Sequence, residues 1–290
     1  MDGTEYFGKA IDNVVDGVTT PAAKQVGKTL ADMFYLIFHP IQNLANRKKV
    51  QSAHDLKQYK KSIEAKPSDI PEDKLIVPPL SIIGPALEQY KQSIKTKLSE
   101  VPEDKLIIPP LSIIGPALEA SKYYIEDEDL REMFAKLIAM ACHSDMKNKI
   151  HRSFVEIIKQ LSPIDCSNLY LFCQSHDYPT GDILVNYGGK DVRIVFSKVF
   201  LSNKDIQDIT IQSASIQNLE RLGLLKVDYS MHLAKEHYKI IFESDQYRDC
   251  VKHFKNIEVI EDIEKIKGID LRKATVFSTN FGRDFLAICV

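Results

Sequence analysis

The stretch EDEDLREMFAKLIAMAC, Glu126 to Cys142, decides the fold of this 290-residue chain. Leu130, Met133, Phe134, Leu137, Ile138 and Ala141 recur at helical spacing and form one apolar face. Acidic residues crowd the start, where the helix dipole favours them, and Asp129-x-x-Glu132 reads as a capping box. After a polar loop, Phe154, Ile157, Ile158 and Leu161 form a second apolar face. Ser162-Pro163-x-Asp165 then opens a third helix, with Leu169, Phe172 and Cys173 inward and Cys166 on the same face one heptad earlier. Capped helices joined by short links predict a bundle over residues 123–176.

Upstream of the bundle the chain repeats itself. Ser62–Lys91 aligns without a gap to Ser93–Lys122 at an offset of 31 residues, with 22 of 30 positions identical. Each copy runs Pro-Glu-Asp-Lys, a short apolar run, Pro-Pro, then SIIGPALE. The prolines hold the residues before them extended, and a helix begins at the second proline, Pro79 or Pro110. Gly84-Pro85 and Gly115-Pro116 predict a kink. Two units are fewer than the three a stacked solenoid needs. Residues 67–122 therefore read as one native unit joined to the bundle, preceded by a duplicate inserted between it and the N-terminal segment.

Residues 1–66 read as an amphipathic helical arm. Phe7, Ile11, Val14, Val15 and Val18 make one stripe, and Thr20-Pro21 restarts a helix that continues to His39-Pro40. Its end, LADMFYLIFHPI, is apolar on nearly every side. One reading is a helix buried between neighbours. The other is a membrane-surface or partner-docking segment. In that case Phe34, Tyr35, Leu36 and Phe38 supply the apolar contact and Arg47, Lys48 and Lys49 the charge for an anionic surface. The lysine-rich run beyond it, to Lys66, reads as a solvated helix.

Residues 177–290 change character. Ile183, Val185 and Tyr187, then Gly188-Gly189, then Val192, Ile194 and Phe196 alternate as in a hairpin. Ile216, Leu219 and Leu222 mark a helix stopped by Gly223, and Leu224–Val227 continues as an extended segment. Tyr238–Phe242 and Thr275–Phe277 read as further strands, and Phe281, Phe285 and Ile288 mark a closing helix. A helix ending in Leu-Gly-Leu-Leu ahead of strands is the pattern of a winged helix. The fold class expected is thus mainly α, with N-terminal amphipathic helices, a central helical bundle and a small C-terminal α+β domain of winged-helix type.

Composition narrows the function. A formal net charge of −2 excludes a globally basic nucleic-acid binder. Five scattered cysteines without C-x-x-C spacing point to thiols in a reducing cytoplasm. The first residues lack the basic start and apolar core of a secretory signal, and no run of about twenty apolar residues forms a spanning helix. The localisation expected is cytoplasmic, with peripheral contact at the inner membrane if the arm binds lipid. No P-loop, Rossmann or Gly-x-Ser-x-Gly motif is present, so no cofactor is expected.

Several long motifs together resemble the abortive infection alpha (Abi-alpha) family, prokaryotic proteins implicated in phage defence. They are PAAKQVGKTL (Pro21–Leu30), PPLSIIGPALEASKYY (Pro109–Tyr124), DLREMFAKLIA (Asp129–Ala139), HRSFVEIIKQLSP (His151–Pro163), NLERLGLL (Asn218–Leu225) and TNFGRDFLAICV (Thr279–Val290). Arg152 departs from the family's usual proline, and the doubled unit is a second departure that the family fold should not require. The resemblance implies a defence role without a reaction.

Three functions from different classes are compatible with these residues. The first is a non-enzymatic effector or sensor acting through a protein partner, self-association or a membrane surface. The second is a nucleic-acid-binding regulator presenting Gln217, Asn218 and Arg221, against which Asp208, Glu220 and Asp228 weigh electrostatically. The third is a nuclease or other hydrolase built on His143, His151 and Glu156 near Asp145. Ordinary polar loop chemistry is the preferred reading of those histidines, because no H-E-x-x-H-like spacing orders them.

Overall fold

A computed structural model describes residues 80–188, 191–255 and 268–290. The arm, including Phe34, Tyr35, Leu36, Phe38, Arg47, Lys48 and Lys49, lies outside the described residues. Chain contacts divide the molecule into two compact units, one ending at Lys159 and the other starting at Gln160.

The first unit is helical. Helix α1 (Leu80–Ser99), α2 (Leu111–Ser121), α3 (Glu128–Ala141) and α4 (Ser153–Ile158) succeed one another, with a 3-10 turn at Glu103–Lys105 and another at Ser144–Met146. Helix α3 is the hub, with α1, α2 and α4 all packing on it. Its face of Leu130, Met133, Phe134, Leu137, Ile138 and Ala141 is buried, and each large side chain contributes about 1.5–3 kcal/mol by leaving water. The helix is capped two residues earlier than the sequence indicates. Asp127, not Asp129, is the N-cap and accepts from Leu130 N at 3.1 Å. Glu132 is thereby released to α1, where it accepts from Ser93 Oγ at 2.6 Å and pairs with Lys97.

Burial at the end of the first copy bears on the reading of the duplication. The helix of the first copy runs on as α1, and Ala86, Leu87, Tyr90, Ile94 and Leu98 are buried. The described end of the first copy thus contributes Ala86, Leu87 and Tyr90 to the core of this unit. In the second copy the residues before Pro109-Pro110 are extended as expected. Ile107 N donates to Cys142 O at 2.8 Å, and Leu106 bridges to His143. Helix α2 then passes through Pro116 unbroken, burying Ile113, Ile114, Ala117 and Leu118.

The second unit overturns the expected fold class. It begins with α5 (Pro163–Gln174), where the capping box is present as read: Ser162 Oγ accepts from Asp165 N, and Asp165 accepts from Ser162 N. Leu169, Phe172 and Cys166 are buried, but Cys173 is exposed. Beyond α5 the chain builds a full sheet in place of a small wing. Strands β1 (Asp177–Gly188), β2 (Asp191–Val199), β3 (Leu225–Asp228) and β4 (Gly268–Ser278) are antiparallel in the order β2-β1-β4-β3. The 12-residue β1 pairs along its length with β4, from Asp177–Phe277 to Asn186–Gly268. A winged helix carries a short hairpin beside its recognition helix. Here the helix α6 (Ile209–Arg221) leads into the short edge strand β3, while the sheet is built on β1 and β4.

Tyr238–Phe242 is not a strand either. It is the end of a 3-10 turn (Lys235–Tyr238) continued by α7 (Lys239–Phe242), then α8 (Asp245–Lys255). Tyr238 and Ile241 are buried three residues apart, as one helical face requires. A five-residue apolar run cannot distinguish that from a strand by periodicity. The hairpin, the extended segment after Gly223 and the closing helix α9 (Asn280–Cys289) are where the sequence places them.

Candidate functional site

The described residues nominated for hydrolysis or nucleic-acid contact are bonded into the fold. His143 is the N-cap of the Ser144–Met146 turn, its Nδ1 accepting from Asp145 N at 3.2 Å. Asp145 pairs with Lys105 at 3.2 Å, and that partner outweighs desolvation in holding its carboxyl below the usual range. His151 packs its ring on Phe154 at 5.4 Å, and Glu156 pairs with Lys159 at 2.8 Å. Among the described residues, no three His, Cys, Asp or Glu side chains group to hold a metal ion. Burial pushes the Cys142 thiol up to about 12 and raises Cys250 and Cys289, so these stay protonated at neutral pH.

Gln217, Asn218 and Arg221 sit on α6. Asn218 Nδ2 donates to Gln160 O at 3.2 Å and to Asp165 Oδ2 at 2.9 Å. Arg221 holds Gln160 Oε1 through both terminal nitrogens at 3.1 Å, and Gln217 reaches Ser197 Oγ at 3.5 Å. Beneath them lies a polar seam between α5 and α6. Ser215 Oγ donates to Asp165 Oδ1 at 2.7 Å, and Asn168 Nδ2 donates to Ser215 Oγ at 2.9 Å. Asn203 Nδ2 donates to Asn168 Oδ1 at 2.8 Å, and Gln212 Nε2 donates to Asn203 O at 3.0 Å. Asp165, Asn168, Asn203, Gln212 and Ser215 are all buried. A connected network of this kind locks two helices in one register.

A second polar cluster escapes sequence reasoning. The β1–β2 register shifts between Gly181 and Ile183, so Asp182 faces a bulge at Ser197–Lys198, and Lys198 has φ 52°. A non-glycine residue in the left-handed region is strained and persists only where its surroundings impose it. Asp182 imposes it here. Although 1% exposed, its carboxylate accepts from Lys198 N at 2.8 Å, Tyr229 Oη at 2.7 Å and Arg272 Nε at 3.0 Å, with Arg272 Nη2 also in contact. Lys198 Nζ in turn pairs with Glu220, whose other oxygen accepts from Val227 N at 3.0 Å. Burial and the neighbouring Asp182 push Tyr229 above its ordinary range, so it remains a phenol. Four donors converge on the two oxygens of Asp182, so its acceptor positions are spent within the fold. An aspartate leading an apolar alternation, T-G-D-I-L-V, is the sequence signal that marks it.

The abortive infection alpha profile matches residues 86–289, more than half of the chain. The chain belongs to the abortive infection alpha family. The match starts at Ala86, inside α1, so the family unit includes the helix contributed by the first repeat copy. Neither a curated protein nor a solved structure matches the chain. Family membership carries an abortive-infection, phage-defence role for this Abi-alpha protein. No helix among the described residues is long and apolar enough to cross a membrane.

Proposed function

We propose that this Abi-alpha protein is a defence effector or sensor that acts by contact, with a protein or a membrane surface, and not by catalysing bond cleavage. The observation that carries this reading is where the nominated catalytic side chains are bonded. His143 caps a turn, Asp145 and Glu156 are ion-paired, and His151 packs its ring, tilted, against Phe154. A hydrolytic centre needs such groups turned toward a common reacting atom. The contact surface in this reading is the arm, through Phe34, Leu36 and Phe38 beside Arg47, Lys48 and Lys49.

A phage-challenge assay in cells expressing the full chain tests it. The His143→Ala, His151→Ala double variant is expected to protect as the parent does. The Phe34→Asp, Phe38→Asp double variant is expected to lose protection at unchanged protein level. Loss of protection in the histidine variant alone overturns the proposal. Liposome co-sedimentation of the arm variant against the parent separates membrane from protein contact. Equal pelleting of both assigns the arm to a protein.

A further inference from the structure

Among the described residues, the sheet has one covered face and one that is bare at its open end. On one side Ile183 belongs to a buried cluster, against which Phe196, Ile269 and Leu271 of the sheet and Tyr247 and Phe254 of α8 all pack. On the other side, cross-strand partners fix which residues share the face. Ile194, Leu184 and Asp270 form one row across β2, β1 and β4. Val192, Asn186 and Gly268 form the next, and Asp182 with Arg272 forms the row on the other side.

The far end of this face is closed, since Thr180, Ala274 and Val276 are fully buried. Its open end is not, because Val192 is 47% exposed, Ile194 is 52% exposed and Leu184 is half-buried. A solvated face of an antiparallel sheet ordinarily carries polar residues at such alternating positions. A valine, an isoleucine and a leucine there mark a contact surface. Strand β2 is also an edge strand, so this apolar strip borders main-chain groups on an open edge.

The charges on the strip choose its occupant. Asp270 and Arg272 are two residues apart on β4, share this face and are both exposed, Arg272 keeping 50% of its side chain in solvent while it holds Asp182. One acid and one base flanking an apolar strip match an identical surface turned through a two-fold axis. Arg272 of one copy then meets Asp270 of the other, twice, around Ile194 and Leu184. A nucleic acid fits poorly, because the Tyr229 ring beside this face already lies under Arg272 and Asp270 repels phosphate. An anionic bilayer fits poorly as well, since a single guanidinium with Asp270 beside it is not a polybasic patch. We infer that the open end of the β2-β1-β4 face is the surface through which two copies of this chain associate as a two-fold dimer. This goes beyond the contact reading above and stands whatever the arm touches.

Sedimentation velocity on the full chain tests it. A small interface of this type gives a weak dimer, so the parent is expected to pass from monomer to dimer between about 1 µM and about 200 µM. Ile194→Asp and, separately, Asp270→Arg are expected to remain monomeric over that range, with unchanged circular dichroism. Both positions are exposed, so the fold does not depend on them. A parent that stays monomeric overturns the inference. If Ile194→Asp also lowers its melting temperature in that case, a segment of the same chain covers the face. A dimer that both variants leave intact overturns it too, and places the interface elsewhere.

Discussion

Tyr90 tests whether the first repeat copy belongs to the core. It is fully buried on α1, among the largest side chains that are, and burial raises its phenol above the ordinary range while Ser121 beside it acts in the opposite sense. Tyr90 and Ser121 are the equivalent positions of the two copies, 31 residues apart. The unit therefore sets the large side chain of one copy against the small side chain of the other. Replacing a buried aromatic by alanine costs about 3–5 kcal/mol, combining lost transfer energy with the cavity left behind. Domains of this size hold about 5–15 kcal/mol in total, so Tyr90→Ala removes a large part of the first unit's stability. Urea unfolding monitored by circular dichroism, with hydrogen exchange on the α3 amides, reads the effect. The converse change, Ser121→Tyr, overpacks the same space and is expected to cost about 1–3 kcal/mol. A loss under about 1 kcal/mol for Tyr90→Ala, in a site that cannot refill itself, refutes the reasoning and returns the first copy to the status of a spacer.

Other expectations use the same measurement. Glu132 ties α1 to α3; burial alone raises its carboxyl, but Lys97 and Ser93 outweigh it and hold it below its ordinary 4.5. A lowered folded pKa gives stability that is present above the unfolded value and lost as pH falls through the folded one. Glu132→Gln should therefore flatten the stability slope below pH 4.5, by about 0.5 kcal/mol after solvent screening, as acid titration of the urea midpoint would show. Asp165→Ala leaves Ser162 N, Ser215 and Asn218 without their acceptor and is expected to cost about 3 kcal/mol, with Asp165→Asn recovering part of it. Gly282→Ala drives a Cβ into the Leu224 carbonyl, the same oxygen that Thr279 N reaches at 3.0 Å to tie the start of α9 to the chain entering β3. Backbone cannot yield as a side chain does, so the melting temperature of this variant should fall by more than about 5 °C.

Some of this is legible because the information is local. Apolar residues at helical spacing identify α3, α4 and α5, and Ser162-Pro163-x-Asp165 marks the cap of α5 correctly, since a cap is a contact between residues three apart. Asp127 does not stand out because three further acids lie beside it, and only the chain's turn before α3 decides which of them caps. Heptad spacing from Cys166 points Cys173 inward, but it lies near the end of α5, where the chain leaves for β1 and the thiol is exposed.

By itself, then, the sequence determined the helices of the first unit, the hairpin, the duplication and the family. Only the tertiary structure decided that the end of the first copy is core, since Ala86, Leu87 and Tyr90 are buried in the first unit. It alone decided that the C-terminal part is a four-stranded sheet, because β1 and β4 pair across about ninety residues and leave no periodic trace beyond two short alternations. It also turned Asn218 and Arg221 from groups offered outward into partners of Gln160 and Asp165. Spacing along a chain encodes what a residue can face. Which partner comes to face it depends on segments dozens of residues away, and the free energy of bringing them together belongs to no single stretch of sequence.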